Sequence, residues 1–325
     1  MTLAAQRPSA AAERAVAFVA DRSALAVTIG TRLADDVMDP EAFATNLRRG
    51  FEELADPAYR DAQPRIAPGM GPVFGVRLPL QAAVTSGFRR ATRRRAAPAV
   101  LLFLADRLLR EPELEMRLFA FGLLDRILPD DPERAWQLLR RAAREANEWV
   151  TVDSLARPVA HGILLESYRW AELEQLIYSA RRWERRLVGS TIATIPHIDR
   201  REGRTPAVAA KGLELVGNLI GDAEPDVQKA LSWALRTLAL LDAAAVAAFC
   251  DAETAEAERS RDGNRAWVIR DTLPKLPRAV AERLRHRLTG IRRSADAPAT
   301  SRAAAIAARF GDLPLGRTTA EPPLT

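Results

Sequence analysis

At 325 residues the chain can bury a sizeable core, and 48% hydrophobic against only 6% aromatic residues, with Ala and Leu dominant, favours helix over strand. The formal net charge of +6, carried almost wholly by Arg because Lys211, Lys229 and Lys275 are the only lysines, suits an anionic polymer as partner. One cysteine, Cys250, and three scattered histidines, His161, His197 and His286, exclude an intramolecular disulfide and leave no metal-ligand spacing.

In chain order, residues 1–12 lack helical patterning, and residues 1–40 are expected to be a partly helical extension ahead of a main domain over 41–290. No basic start with an apolar middle marks a leader. The longest apolar runs are broken by charges such as Asp106 and Asp242, so a cytoplasmic protein without membrane contact is expected. Short helices then alternate with breakers at Asp56-Pro57, Glu111-Pro112, Pro129-Asp130 and Gly221-Asp222. The clearest helical stretches are 98–110, 114–127, 132–145, 154–166, 171–180, 185–195, 206–220 and 225–241. Two helices with their turns take about 35 to 45 residues, the period of a HEAT-type unit. The expected fold is therefore all-α, an α-solenoid of HEAT-like helical repeats with a concave basic face; an irregular helical bundle is the alternative. Cys250 ends the apolar run AAAVAAFC, where a buried, inert thiol is expected. Residues 291–325 read as a weakly structured tail carrying one helix over 301–311.

Three segments hold residues that do not fit a core. In 148–156 (EWVTVDSLA) an offset of four puts Trp149 and Asp153 on one side in either regular conformation, so an indole and a carboxylate share a surface. Asp153 ahead of Ser154 also reads as a helix N-cap with Pro158 in the first turn, and both readings stay open. In 226–241 (DVQKALSWALRTLALL), Leu231, Leu235 and Leu238 form a stripe, and Trp233 lies roughly 160 to 200° from it among Lys229, Arg236 and Thr237. An aromatic among cations suits contact with nucleic acid, or packing on a neighbouring helix. In 181–197 (RRWERRLVGSTIATIPH), Arg186 stands nearly opposite the stripe of Leu187, Val188, Thr191, Ile192 and Ile195. Gly189, Ser190 and Ala193 beside it would let another molecule approach closely; a solvated arginine is the plainer reading.

Five short elements follow one another: Phe74-Gly-Val-Arg-Leu-Pro79, Glu113-Leu-Glu-Met-Arg117, Trp149-Val-Thr-Val-Asp153, Trp183-Glu-Arg-Arg186 and Gln228-Lys-Ala-Leu-Ser-Trp233-Ala-Leu-Arg236. On these, over about 42–288, the chain resembles the AlkD-like DNA alkylation repair proteins, HEAT-repeat glycosylases that remove alkylated purines. The resemblance implies a monomeric enzyme acting on double-stranded DNA, with no metal and no organic cofactor. Its substrates would be the cationic 3-alkyladenine and 7-alkylguanine, cleaved while the base stays stacked. It implies Asp153 as catalytic carboxylate, Trp149 and Trp233 as aromatic walls and Arg186 as a phosphate-contacting cation. A purine alkylated at N3 or N7 already carries the charge that makes it a good leaving group. The protein's part is then a negative charge beside the sugar, which turns oxocarbenium-like, and a placed water. Arg77, Arg89, Arg90, Arg182, Arg185, Lys229 and Arg236 are expected at DNA phosphates, with further arginines at 93, 94, 95, 140, 141, 144 and 181 available. Glu148 departs from the family, which often has a second Trp there. The alternative is a non-catalytic module binding distorted or branched DNA.

Overall fold

The computed structural model describes residues 9–93 and 96–309. Among them are sixteen α-helices, three short 3-10 turns and no strand. In order these are α1 (Ala10–Arg32), α2 (Pro40–Leu54), α3 (Pro57–Ile66), α4 (Leu78–Ala91), α5 (Pro98–Leu109), α6 (Leu114–Ile127), α7 (Pro132–Glu145) and α8 (Trp149–Leu165). There follow α9 (Arg169–Gln175), α10 (Arg182–Ile198), α11 (Pro206–Leu219), α12 (Pro225–Leu238), α13 (Ala243–Ser260), α14 (Gly263–Thr272), α15 (Arg278–Arg287) and α16 (Arg302–Arg309). Many starts carry the expected signals. Asp39, Asp56, Thr205, Asp242 and Asp262 accept backbone N–H bonds as caps, and Pro40, Pro57 and Pro206 open helices where a missing N–H costs nothing.

The chain divides between Ala142 and Ala143 into two compact units. In the first, α1 packs along α4, α5 pairs with α6, and α2 lies against α5 and α6. Phe43, Phe88 and Phe119 form its aromatic centre, with ring centroids 5.3 to 5.9 Å apart. Helix α1, expected as part of an extension, buries Ala26, Ile29 and Leu33 and belongs to this core.

In the second unit α8, α10, α12 and α14 lie side by side in that order, while α11 packs on α12 and α13 on α14. This is the stacking of a helical-repeat protein, in agreement with the α-solenoid expected from the helix spacing. The tail is more ordered than composition suggests. Ile291, Ser301 and Ala303 are buried, Thr300 N donates to Gly221 O (2.8 Å), and α16 packs on α11. Hydrogen bonds to Gly221, Asp262 and Gln228 and the packing of α16 on α11 hold this segment, and such contacts leave no periodic trace in sequence. Residues 1–8 and 310–325, including the end of the helix expected over 301–311, lie outside the described residues.

Candidate carboxylate site and arginine clefts

Helix α8 begins at Trp149, five residues ahead of the expected start, because Glu148 is its cap. Glu148 is extended (φ −153°, ψ 162°), fully buried, and its carboxylate accepts from the Val150 and Thr151 amides at 2.5 and 2.8 Å. Asp153 is therefore not the cap, and Pro158 lies inside the helix instead of in its first turn. The residue that departs from the family pattern has taken the capping task. Asp153 is left one turn beyond Trp149 on the same side, both side chains half-buried.

Two residues of α10 hold Asp153. Arg186 donates Nε to Oδ1 (3.0 Å) and Nη2 to Oδ2 (2.7 Å), and Ser190 Oγ donates to Oδ1 (2.6 Å). The third guanidinium nitrogen, Nη1, donates to the Asp226 carbonyl of α12 at 2.7 Å. One arginine thus ties α8, α10 and α12 together. Its side chain is 7% exposed and that of Asp153 20%. An ionised carboxylate has about four lone-pair directions. Three are taken, and the remaining one is on Oδ2. Arg186 thereby differs from the open, phosphate-contacting cation expected for it, since each of its nitrogens is engaged inside the fold. The small residues beside it serve α12: a Cβ on Gly189 would stand 2.7 Å from the Ala230 carbonyl carbon. Ser190, read from sequence only as small, is a direct partner of the carboxylate. Its offset of four from Arg186 was the available signal.

On α12, at about 100° per residue, Trp233 lies between Arg236 and Lys229 on one side and Asp226, Thr237 and Ala230 on the other. Ala230 abuts Gly189 of α10, so the second side faces α10 and Thr237 is buried there, not open beside the indole as expected. Trp233 is half-buried, and Lys229 is exposed with its Nζ 3.8 Å from Asp226.

The cations expected at phosphates fall into two groups. Arg185 pairs with Asp222 (2.7 and 3.3 Å) and donates to the Ser179 and Ala180 carbonyls, which makes it an internal brace. Arg77 pairs with Asp56 (2.7 Å) and lies 4.9 Å over the Tyr59 ring. Arg182 sits 3.5 Å from Glu224 and 4.8 Å over Trp183, Arg236 pairs with Asp271, and Arg141 with Asp106. Arg181 donates to the Arg144 carbonyl. In a chain with 42 acidic residues such pairing is the common fate of an arginine.

Arg89, Arg90 and Arg93, all exposed, behave differently. With Ala82, Thr85, Ser86 and Arg126 they line an open cleft of about 630 Å³ in the first unit, with no carboxylate in its lining. An adjoining cleft of about 600 Å³ shares Arg90 and Arg93 and adds Arg32, Thr31 and Asp35. Arg126 braces the end of α4 through Thr92 Oγ1 (2.7 Å) and O (3.1 Å). Burial, with the Arg89 charge alongside, holds its guanidinium below the ordinary value. Arg94 and Arg95 lie outside the described residues.

Two of the motif elements are structural. Glu115 of α6, buried, accepts from the Phe74, Gly75 and Val76 amides at 3.1, 2.8 and 3.1 Å, so the Phe74 and Glu113 elements clasp each other. Gly75 turns there at φ +85°, a conformation glycine takes without strain. Cys250 is buried, and loss of hydration pushes its thiol up to about 12, well away from thiolate chemistry at neutral pH. Among the described residues no cluster of three metal-ligating side chains occurs, and no helix is long and apolar enough to cross a membrane.

Stacked helices in which an Arg–Ser pair of α10 fixes the Asp153 carboxylate of α8 define a helical-repeat protein. A family profile described as "DNA alkylation repair enzyme" matches residues 47–275, most of the chain, and the protein belongs to that family. It is an enzyme of the repair of alkylated DNA. No curated protein matches the chain.

Proposed function

We propose that the protein is a monofunctional DNA glycosylase that hydrolyses the N-glycosidic bond of cationic alkylated purines, 3-alkyladenine and 7-alkylguanine, in duplex DNA. The observation that carries this reading is the Asp153 carboxylate, restrained by three donors and open at one lone pair. As the bond from C1′ to the base nitrogen breaks, its electron pair neutralises the departing purine and the sugar becomes electron-poor. Asp153 faces that positive charge. A water oxygen bonds to C1′, one of its protons stays on the new hydroxyl and the other passes to solvent. The fixed geometry matters because donors and acceptors already in place need not reorganise during the reaction. Trp149 and Trp233 offer π faces to the cationic nucleotide, each contact worth about 0.5 to 2 kcal/mol depending on desolvation. The base stays in the stack, and Arg89, Arg90 and Arg93 meet backbone phosphates.

The test is release of methylated base from alkylated duplex by the wild type and by Asp153→Asn, with circular dichroism to confirm folding. The expected result is release by the wild type and a loss on the order of a hundredfold or more in the variant. Equal release would remove Asp153 from the mechanism. Duplex binding without release by either protein would leave a non-catalytic binding module.

A further inference from the structure

The second unit holds another carboxylate in the same chemical grip. Ser232 Oγ donates to Asp271 Oδ2 at 2.7 Å, and Arg236 Nη1 pairs with the same oxygen. Asp153 on α8 is held by an arginine and a serine four residues apart on α10; Asp271 on α14 is held by a serine and an arginine four residues apart on α12. An indole stands one turn ahead of each carboxylate, Trp149 and Trp267.

The Trp267 ring is covered by the Arg293 guanidinium, 5.3 Å from its centroid. Two differences separate the roles of the two carboxylates. Asp271 is 43% exposed, about twice as much as Asp153. Arg236, 30% exposed, commits one nitrogen where Arg186 commits three: Nη1 reaches Asp271, the Asp271 carbonyl (3.2 Å) and Ser232 (3.2 Å). Among the described residues its Nε and Nη2 have no partner. On α12 the arginine lies about 60° round from Trp233.

We propose that Asp271, with Ser232, is a positioning residue that fixes Arg236 so that its free guanidinium edge meets a backbone phosphodiester next to the nucleotide at Trp233. The proposal rests on the glycosylase reading only in taking duplex DNA as the ligand. An arginine already held by one corner loses less freedom when a phosphate arrives, and its planar fork then reaches the phosphate with the remaining N–H groups. This sets Asp271 against ordinary expectation. Taking a carboxylate off a DNA-binding surface normally strengthens binding, because phosphates are repelled less. If Asp271 positions Arg236, taking it away weakens binding.

The experiment measures binding of the full chain to undamaged duplex by fluorescence anisotropy, across about 50 to 200 mM NaCl. Asp271→Asn, Asp271→Ala, Asp271→Glu, Arg236→Gln and the double variant Asp271→Asn/Arg236→Gln are compared with wild type. Arg236→Gln is expected to bind about tenfold more weakly, with a salt slope lower by about one. Asp271→Asn and Asp271→Ala should move the same way, Asp271→Glu should recover most of the loss, and the double variant should be no weaker than Arg236→Gln. Tighter binding by Asp271→Asn or Asp271→Ala, or additive losses in the double variant, would overturn the inference alone. A wild type that binds no duplex at any salt would overturn the glycosylase reading, and this inference with it.

Discussion

The arginines of the two units solve opposite problems. Around Asp153 each nitrogen of Arg186 is bonded within the protein, and the charge is spent on orienting a carboxylate. Around the larger of the two clefts of the first unit, Arg89, Arg90 and Arg93 are exposed with no acid in the lining. The residue type is the same and the local supply of acceptors decides its task. An arginine with a buried carboxylate and a backbone carbonyl within reach becomes a fixed part of the site. One on an acid-free helix face becomes a long-range attractor, whose pull salt screens over about a Debye length.

The contrast breaks most visibly at Arg186. Arg186→Ala should lower single-turnover base release on the order of a hundredfold and destabilise the fold by about 3 to 5 kcal/mol, because Asp153 is left without its charged partner. Arg186→Lys should keep much of the stability yet little of the rate, since an ammonium cannot hold both carboxylate oxygens as the planar fork does. Duplex affinity and its salt slope should stay near wild type in the Lys variant. A slope reduced by one unit there would make Arg186 a phosphate contact after all. Next in size, replacing Arg89, Arg90 and Arg93 together by Gln should lower the salt slope by about one per lost phosphate contact and weaken duplex binding at every sequence. Release at saturating enzyme should be unchanged. A slower saturated rate would show that the cleft reaches into the chemistry, and the division between the two arginine types would fail.

Sequence patterning carried the helices further than the site. Helices begin at Pro98, Leu114, Pro132, Pro206 and Pro225, where the sequence reading put them, and the pairing period led to the helical-repeat fold. Trp149 and Asp153 were legible because an offset of four holds in any regular conformation. What stayed hidden depends on contacts between helices. Periodicity ranks a residue by its angle to an apolar stripe, so Arg186, opposite that stripe, reads as exposed. Yet α10 is flanked by α8 on one side and α12 on the other, and the residue opposite one core faces a second layer of partners. Arg185 went the same way, because Asp222 arrives from a turn 37 residues on. Glu148 was noticed only as a missing indole; its capping role needs the backbone of Val150 and Thr151 to be in place.

The smallest expected effect is at Trp233, and it tests the Asp153 side of the comparison. The indole is half-buried, whereas Leu231, Leu235 and Leu238 on the same helix are fully buried. Trp233→Ala should therefore leave the melting temperature nearly unchanged. Its loss removes one π face, about 0.5 to 2 kcal/mol, and so slows release of a cationic base by a few-fold to about thirtyfold. The loss should be specific to charge: Trp233→Phe, which keeps a weaker π face, should fall between the two, and affinity for undamaged duplex should change far less than the rate on 7-methylguanine. If undamaged and alkylated duplexes lose affinity equally and the rate at saturation is unaffected, the indole is a general stacking surface. Recognition of the positive charge would then belong to Asp153 and Trp149.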